Sequence, residues 1–308
     1  MIYCLSKENL ALAVAEVLAL AQPKTYQLYE NLLVCDGTVE YSRLAYTRMV
    51  LEEIFIDTTI PDVDWQAWYN KDFCVRSNIT SKEKEVAAII WHGVQDPKVR
   101  LKGATSEFFV FFIGKKIVCG KKVYTQKESF KERRPDRRPG FFPISLKPKL
   151  ARAIVNLSGV KKGTIWDPFC GTGGILLEAS LIGLDVVGSD VDPAMIRATK
   201  VNFEAYHCRG SFFIGDARTA KVDCTAVVTD PPYGRRASTK KVDKEQLYND
   251  FLVHVYPFIQ TVVLMAPQDL RIVSPYTTKS CVLDYVHNTL TRKIMILTKD
   301  GNEKREQT

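Results

Sequence analysis

The pattern of hydrophobic and polar positions differs between the two halves of the chain, and it changes near residue 146. Before it, short apolar segments at residues 2–6, 26–37, 72–79 and 106–126 predict strands, whereas residues 10–21 and 81–94 have the spacing of helices. Strands and helices that mix without regular alternation indicate an α+β region. This pattern by itself does not indicate a function.

From residue 146 onward, continuous apolar strands alternate with amphipathic helices. Strands are predicted near residues 163–168, 185–190, 211–216, 225–230 and 261–267. Such a rhythm predicts an α/β fold, in which helices cover both faces of a parallel sheet. Ligands bind such sheets outside the carboxyl ends of the strands, near the reversal in strand order. We therefore expect the functional residues at strand ends.

The two regions meet at a segment rich in proline and arginine. We predict an N-terminal region at residues 1–131, a basic linker at residues 132–145 and a second domain at residues 146–308. The net charge is +8, and residues 115–152 contain thirteen basic side chains against three acidic ones. Aromatic side chains lie among them, which favours a polyanion with exposed bases. A solvated linker explains the charge equally well. The candidate RNA-binding residues are Lys121, Lys122, Arg133, Arg134, Arg137 and Arg138.

Composition narrows the class of protein. The chain has 308 residues, 46% of them hydrophobic and 25% charged, as in ordinary globular proteins. No apolar run reaches the roughly 18 residues that a membrane span needs. The eight cysteines are scattered and show no C-x-x-C spacing, so neither a zinc ribbon nor a redox pair is predicted. Reduced, buried cysteines predict a cytoplasmic protein.

A glycine-rich loop follows the first strand of the second domain, in the sequence DPFCGTGGI. Gly171 and Gly173 allow the backbone to approach a ligand closely. The spacing differs from the dinucleotide pattern G-x-G-x-x-G, and no Lys-Ser/Thr pair follows as in a P-loop. Instead Asp167 precedes the loop, and a carboxylate suits a cationic ligand better than a pyrophosphate.

Two more acids follow the next two strands. Asp190 is placed to accept hydrogen bonds from ribose hydroxyls, and Asp216 from an adenine amino group, with the Ala217 N–H beside the ring. Asp192 is a better candidate for a helix cap. Any one of these acids could be an ordinary loop residue. Three acids at three successive strand ends, together with the glycine loop, predict a site for S-adenosyl-L-methionine.

The motif series resembles that of class I methyltransferases. More narrowly, PISLKPKLARAIVNL, DPFCGTGGILLEA, VVGSDVDPAMIRATKVN, GDA and DPPYG resemble the archaeal tRNA guanosine-10 N2-methyltransferases. The resemblance covers essentially the whole chain and is strongest in the C-terminal half. It implies a ferredoxin-like segment and a THUMP RNA-binding domain before a Rossmann-like catalytic domain. The implied cofactor contacts are Asp167, Cys170, Gly171, Thr172, Gly173, Asp190, Val191, Asp216, Ala217, Pro143 and Ser145, although Cys170 is also explained by packing.

The stretch DPPYG would carry the chemistry in this family. A guanine N2 amine is a poor nucleophile and must be held in line with the methyl group. Asp230 can accept one N–H hydrogen bond and assist proton loss, and the Pro231 carbonyl, held outward by Pro231 and Pro232, can accept the other. Tyr233 can stack on the extruded base. Arg235 and Arg236 could contact phosphates or simply form a charged loop.

Other functions remain open at this point. An acid-Pro-Pro-aromatic motif also serves amino-methyltransferases that act on adenine or cytosine in DNA, or on other RNA. A third alternative is an RNA-binding protein whose catalytic domain is inactive, which the four intact acids disfavour. The resemblance implies tRNA as partner and, in some relatives, a small zinc-binding methyltransferase activator, which could bind an edge strand near residues 261–267 or 292–299. Buried core strands explain both segments better. No metal ligand set is predicted in this chain.

Overall fold

The computed structural model describes residues 1–143, 145–232 and 241–299, without the side chains of residues 241–244. Contacts divide the chain into two compact units. The first contains Met1–Leu10, Ala21–Ser42 and Thr47–Lys127, and the second contains Ala11–Leu20, Arg43–Tyr46 and everything from Glu128 onward. This division differs from the predicted boundaries, because residues 128–145 belong to the second unit rather than forming a separate linker.

The first unit is built on a seven-stranded sheet. Its spatial order is β2-β3-β1-β4-β7-β6-β5, and all neighbours are antiparallel except β5 and β6. The described elements are β1 (Ile2–Leu5), α1 (Leu10–Ala21), β2 (Tyr26–Tyr29), β3 (Leu32–Cys35), β4 (Thr47–Asp57), α2 (Trp65–Trp68), β5 (Phe73–Ser77), α3 (Thr80–His92), β6 (Ser106–Ile113) and β7 (Lys116–Thr125). Helix α1 is the exception among these elements, because all of it except its two end residues, Leu10 and Ala21, belongs to the second unit.

Aromatic side chains fill the core of the first unit. Trp65 and Phe73 both pack against Phe108, with ring centroids 5.5 and 6.4 Å from that ring. The mixed strands and helices agree with the predicted α+β class. The 11-residue strand β4, at the centre of the sheet, was not predicted, because Glu52 and Glu53 interrupt its apolar pattern.

The second unit has the predicted parallel sheet. Its order is β10-β9-β8-β11-β12-β14-β13, parallel from β10 to β12 and antiparallel at β14 and β13. The elements are α4 (Pro148–Leu157), β8 (Thr164–Asp167), α5 (Gly174–Ser180), β9 (Asp185–Asp190), α6 (Pro193–Ala205), β10 (Ser211–Ile214), β11 (Ala226–Thr229), α7 (Lys241–Val255), β12 (Thr261–Pro267), β13 (Thr277–His287) and β14 (Leu290–Thr298).

The strand order reverses between β8 and β11. From β8 the chain proceeds through β9 to β10 on one side, and from β11 to β12 on the other. The carboxyl ends of β8 and β11 therefore flank the crevice where ligands bind in sheets of this kind. Behind it, Tyr248, Phe251 and Leu252 of α7 pack on Val227 and Val262 in one buried cluster.

The two segments considered as an edge for a partner are buried core strands, which is the alternative that the sequence favoured. Strand β12 lies between β11 and β14, and β14 lies between β12 and β13. Val262–Ala266 and Ile294–Leu297 are buried, as core strands must be. The sheet edges are β10 and β13, because the antiparallel hairpin adds strands beyond β12.

Residues from the N-terminal part of the chain complete the second unit. Glu16 is fully buried and accepts hydrogen bonds from the N–H groups of Ala45 and Tyr46 at 2.8 and 2.9 Å, and from Asn156 Nδ2 at 2.8 Å. Burial raises the pKa of this carboxyl group. Arg43 in turn donates to the Val160 carbonyl at 2.8 Å. Among the described residues, no helix is long and apolar enough to cross a membrane.

Candidate functional site

The glycine loop leaves the end of β8 in a conformation that only glycine adopts easily. Gly171 has φ +51° and Gly173 has φ +78°. A Cβ atom at Gly171 would have no atom within 4 Å, so the backbone borders open space there. The loop is held from below, because Thr199 Oγ1 donates to the Gly171 carbonyl at 2.8 Å. Cys170 is buried and packs under the loop.

Asp190 ties the glycine loop to the end of β9. Its Oδ2 accepts from the Gly171 N–H at 2.9 Å, and its Oδ1 accepts from the Asp192 N–H, also at 2.9 Å. Burial raises the pKa of Asp190. Each carboxylate oxygen keeps a further lone pair for a ligand hydroxyl. Asp192 caps α6 through the Ala194 N–H, as predicted, and Val191 is exposed between them.

Asp167 is the most buried acid of the group, with 1% of its surface exposed. Its Oδ1 accepts from the Thr229 hydroxyl at 2.7 Å and from the Phe169 N–H at 3.1 Å. Burial raises the pKa of Asp167 to about 7, and the charges of Asp230 and Asp190 add to the shift. An acid in this state gains from a cationic ligand group, which would favour its charged form.

Asp216 follows β10 but does not present an open carboxylate. Arg218 binds it through Nε at 3.0 Å and through Nη2 at 2.6 Å, and these hydrogen bonds lower the pKa of Asp216. An adenine amino group would therefore share this carboxylate with Arg218. Ala217 is buried beside it, so only its backbone could face a ligand.

The segment before α4 reaches the glycine loop through two contacts. Ser145 Oγ and Thr172 Oγ1 share a hydrogen bond at 3.0 Å, which brings together two of the predicted cofactor residues. The second contact is Asn202 of α6, whose Nδ2 donates to the carbonyls of Thr172 and Gly140 at 2.9 and 3.1 Å. Sequence reasoning missed Asn202, since it lies on a helix 30 residues from the loop. Pro143 is exposed.

Asp230 and Pro231 follow β11, across the strand-order reversal from Asp167. The Thr229–Asp167 hydrogen bond joins the two strand ends. Pro231 is buried, and its carbonyl accepts from the Tyr248 hydroxyl at 3.1 Å. One lone pair of this carbonyl is therefore used inside the core, and the prediction that the prolines hold the carbonyl outward toward an amine rests on its second lone pair. Pro232 is exposed, whereas Tyr233, Arg235 and Arg236 lie outside the described residues.

The structure separates the basic candidates into two groups. Arg133 pairs with the buried Glu178 at 2.8 Å and also with Glu128. Arg138 is 3% exposed and donates from Nε to the Arg133 carbonyl. Arg133 holds the segment on α5 through Glu178, and Arg138 is buried, so the prediction that they bind RNA is corrected. Both were candidates for RNA binding because they lie in a basic run interleaved with aromatic residues, and the Glu178 partner of Arg133 lies 45 residues away in sequence.

The remaining basic candidates in the described ranges are more accessible than these two. Arg134 and Arg137 are exposed, with Arg134 pairing at 3.0 Å with Asp136. In the first unit, Lys121 is half-buried on β7, and Lys122 binds Glu107 at 2.6 Å. The charge of Lys122 is therefore already partly compensated.

Known proteins resemble this chain over most of its length. A family model described as "RMKL-like, methyltransferase domain" matches residues 135–287. The chain is 35% identical over 282 residues to tRNA (guanine(10)-N2)-dimethyltransferase of Methanothermobacter thermautotrophicus, covering 83% of this chain and 84% of the relative. It is 30% identical over 289 residues to the protein of that name from Pyrococcus abyssi, covering 84% and 85%.

Solved structures share the fold at low sequence identity. TrmN from Thermus thermophilus superposes with a TM-score of 0.51 at 17% identity, covering 97% of this chain and 99% of that one. A possible methylase from Clostridium difficile 630 has a TM-score of 0.52 at 16% identity, covering 97% and 98%. The second unit therefore has the Rossmann-like fold of class I methyltransferases, as predicted.

Proposed function

The chain belongs to the family of the tRNA (guanine(10)-N2)-dimethyltransferases, and we propose that it methylates the exocyclic N2 amine of guanosine 10 in tRNA with S-adenosyl-L-methionine as cofactor. The single observation that carries the proposal is the Thr229–Asp167 hydrogen bond of 2.7 Å. It joins the end of β8, where the glycine loop begins, to the end of β11, which Asp230 and Pro231 follow.

The residues around the glycine loop fit this cofactor. Asp167 matches the ammonium group of a methionine moiety, and Asp190 matches ribose hydroxyls. The open space at Gly171 leaves room for a ligand against the backbone. When bound, S-adenosyl-L-methionine supplies an electrophilic methyl group, whose bond to sulfur breaks with its electron pair remaining on sulfur as the amine nitrogen forms the new bond.

Asp230 and Pro231 hold the target amine. A carboxylate oxygen of Asp230 accepts one N–H, and the second lone pair of the Pro231 carbonyl accepts the other. This fixes the nitrogen lone pair toward the methyl donor, and positioning is the main contribution that a protein can make to such a transfer. Asp230 then takes one proton from nitrogen and passes it to solvent. The stacking role of Tyr233 stays a prediction from sequence.

The proposed partner is tRNA, bound by two kinds of surface. The first unit would act as the THUMP RNA-binding region, with Lys121 on β7 as one phosphate contact. In the second unit, the exposed Arg134 and Arg137 are the remaining candidates from the basic segment. A tRNA substrate supports the predicted cytoplasmic location.

A small zinc-binding methyltransferase activator is a further proposed partner. It would bind at one of the two free sheet edges, β10 or β13. Both edges expose apolar side chains, with Ile214 59% exposed on β10 and Leu283 50% exposed on β13. The two test variants are Ile214→Asp and Leu283→Asp. Only the variant on the edge that binds the subunit should lose co-purification with it. Unchanged co-purification with both variants would contradict an edge-strand interface.

Methyl transfer to unmodified tRNA tests the function. Transfer should occur to tRNA with guanosine at position 10 and disappear when that base is replaced. Transfer that persists after the replacement would contradict the proposal. Transfer to duplex DNA would favour a DNA amino-methyltransferase, and no transfer to any of these acceptors would favour a non-catalytic RNA-binding protein.

A further inference from the structure

A buried tyrosine lies directly behind the proposed amine-binding motif. Tyr248, in the middle of α7, has no exposed surface, and its hydroxyl donates to the Pro231 carbonyl at 3.1 Å. A tyrosine hydroxyl enclosed in an apolar cluster needs a partner, and here the partner is a carbonyl of the motif itself. Sequence reasoning did not identify Tyr248, which lies 17 residues beyond Pro231.

The relatives from Methanothermobacter thermautotrophicus and Pyrococcus abyssi are named dimethyltransferases. A chain that likewise adds two methyl groups at one nitrogen has to accept two different amines. Guanosine presents two N–H bonds, one for Asp230 and one for Pro231. N2-methylguanosine presents only one N–H, so one of the two acceptors must face a methyl group instead. In each transfer the nitrogen lone pair forms the new N–C bond, the C–S electron pair goes to sulfur, and one proton leaves nitrogen.

Asp230 and the Pro231 carbonyl differ in how well they tolerate the loss of an N–H donor. The proton must leave toward a base, and the carboxylate of Asp230 is the base of the pair, so the single N–H of the second substrate has to point at Asp230. The methyl group then faces the Pro231 carbonyl. A buried carbonyl without a donor is strongly unfavourable, but a carbonyl that already accepts one hydrogen bond loses much less.

We propose, on the basis of the proposed function, that Tyr248 is a positioning residue that makes the second methyl transfer possible. Its hydroxyl keeps the Pro231 carbonyl hydrogen-bonded when the methyl group of N2-methylguanosine lies against that carbonyl. During the first transfer the same hydrogen bond orients the carbonyl so that its second lone pair faces the amine. Tyr248 therefore sets the rate of the second transfer relative to the first.

Tyr248→Phe tests the proposal, with Tyr276→Phe as a matched control. Tyr276 is also a buried tyrosine of this cluster, and its hydroxyl donates to the Ile259 carbonyl at 2.9 Å, away from the motif. Rates are measured separately on tRNA with guanosine 10 and on tRNA already carrying N2-methylguanosine there. Thermal unfolding and calorimetric binding of S-adenosyl-L-methionine are measured alongside.

Tyr248→Phe should slow the second transfer about tenfold more than the first, because only the second leaves the carbonyl without a donor. N2-methylguanosine should accumulate, while cofactor affinity stays within twofold of the wild type. Tyr276→Phe should lose comparable thermal stability and keep the wild-type ratio of the two rates. An unchanged ratio in Tyr248→Phe, or an equal change in Tyr276→Phe, would overturn the proposal.

A structure of the wild-type protein with pre-methylated tRNA and S-adenosylhomocysteine tests the geometry even if Tyr248→Phe does not fold. The N2 methyl group should lie against the Pro231 carbonyl and the N–H should point at Asp230. A methyl group beside the Asp230 carboxylate would overturn the inference. A wild-type protein that methylates neither tRNA would instead contradict the proposed function, so the two failures are distinguishable.

Discussion

Asn202 Nδ2 donates to the Thr172 carbonyl at 2.9 Å and, at 3.1 Å, to the carbonyl of Gly140, whose N–H returns a hydrogen bond to Asn202 Oδ1 at 2.8 Å. One buried amide therefore joins the glycine loop to the chain segment that leads into α4. The conformation of the loop depends on a residue that would not touch the cofactor.

Asn202→Ala should destabilise the protein and weaken cofactor binding together. It leaves the buried Thr172 carbonyl and the part-buried carbonyl and N–H of Gly140 without this partner, which lowers the free energy of unfolding by about 2–4 kcal/mol. Urea denaturation and calorimetric titration with S-adenosyl-L-methionine measure the two effects. The control is Asn31→Ala, which removes a single hydrogen bond to the Leu5 carbonyl in the first unit. A destabilised Asn202→Ala variant with wild-type cofactor affinity would contradict the positioning role.

Asp230→Ala should abolish methyl transfer and leave cofactor binding largely intact, since Asp230 is proposed to hold the amine and not the cofactor. Calorimetric titration and single-turnover transfer to tRNA separate the two. The comparison variant is Asp190→Ala, which should lose cofactor affinity because it removes both the ribose acceptor and the support of the Gly171 N–H. Loss of cofactor binding in Asp230→Ala would mean that this carboxylate is a cofactor ligand or a structural group.

Asp167 should make the stability of the cofactor-free protein depend on pH. Its pKa is raised from 3.8 to about 7, so between these values the folded protein binds more protons than the unfolded chain. The free energy of unfolding therefore falls as the pH rises through this window. Asp167→Asn removes this titration and keeps an oxygen for the Thr229 hydroxyl. The variant should be more stable than the wild type at pH 8, and its advantage should shrink toward pH 4.

Denaturation at a series of pH values measures this effect. Asp216→Asn serves as the opposite case, because Arg218 lowers the pKa of Asp216. The stability that this carboxylate contributes is present above its unfolded pKa and is lost as the pH falls. Asp216→Asn should therefore be less stable than the wild type at neutral pH. A difference between Asp167→Asn and the wild type that stays constant from pH 4 to pH 8 would refute the linkage.

Substitution of the exposed arginines of the basic segment should have a different effect from substitution of the buried Arg133. Arg134→Ala combined with Arg137→Ala should weaken tRNA binding and flatten its dependence on salt, because each phosphate contact contributes to the slope. Arg133→Ala should instead destabilise the fold, by less than the ~3–5 kcal/mol typical of a broken buried pair, since Arg152 still contacts Glu178 at 2.7 Å. Tight tRNA binding with an unchanged slope in the double variant would assign this segment a structural role alone.

The sequence predicts those features of the fold and the site that depend on residues close together along the chain. Apolar strands followed at once by an acid or a glycine placed Asp167, Asp190 and Asp230 at strand ends, and the α/β class followed from the same alternation. It was insufficient where partners are distant. Asn202, Tyr248 and Glu16 act through hydrogen bonds across 17 to 140 residues. Arg133 was a candidate for RNA binding because its partner Glu178 lies 45 residues away, inside an apolar helix.

Mass spectrometry of nucleosides from tRNA incubated with the purified protein and S-adenosyl-L-methionine identifies the base that is methylated. We expect N2-methylguanosine first and N2,N2-dimethylguanosine later, both absent when guanosine 10 is replaced and when the Asp230→Ala variant is used. A methylated adenosine or cytidine, or methylated guanosine that survives replacement of guanosine 10, would contradict the proposed function.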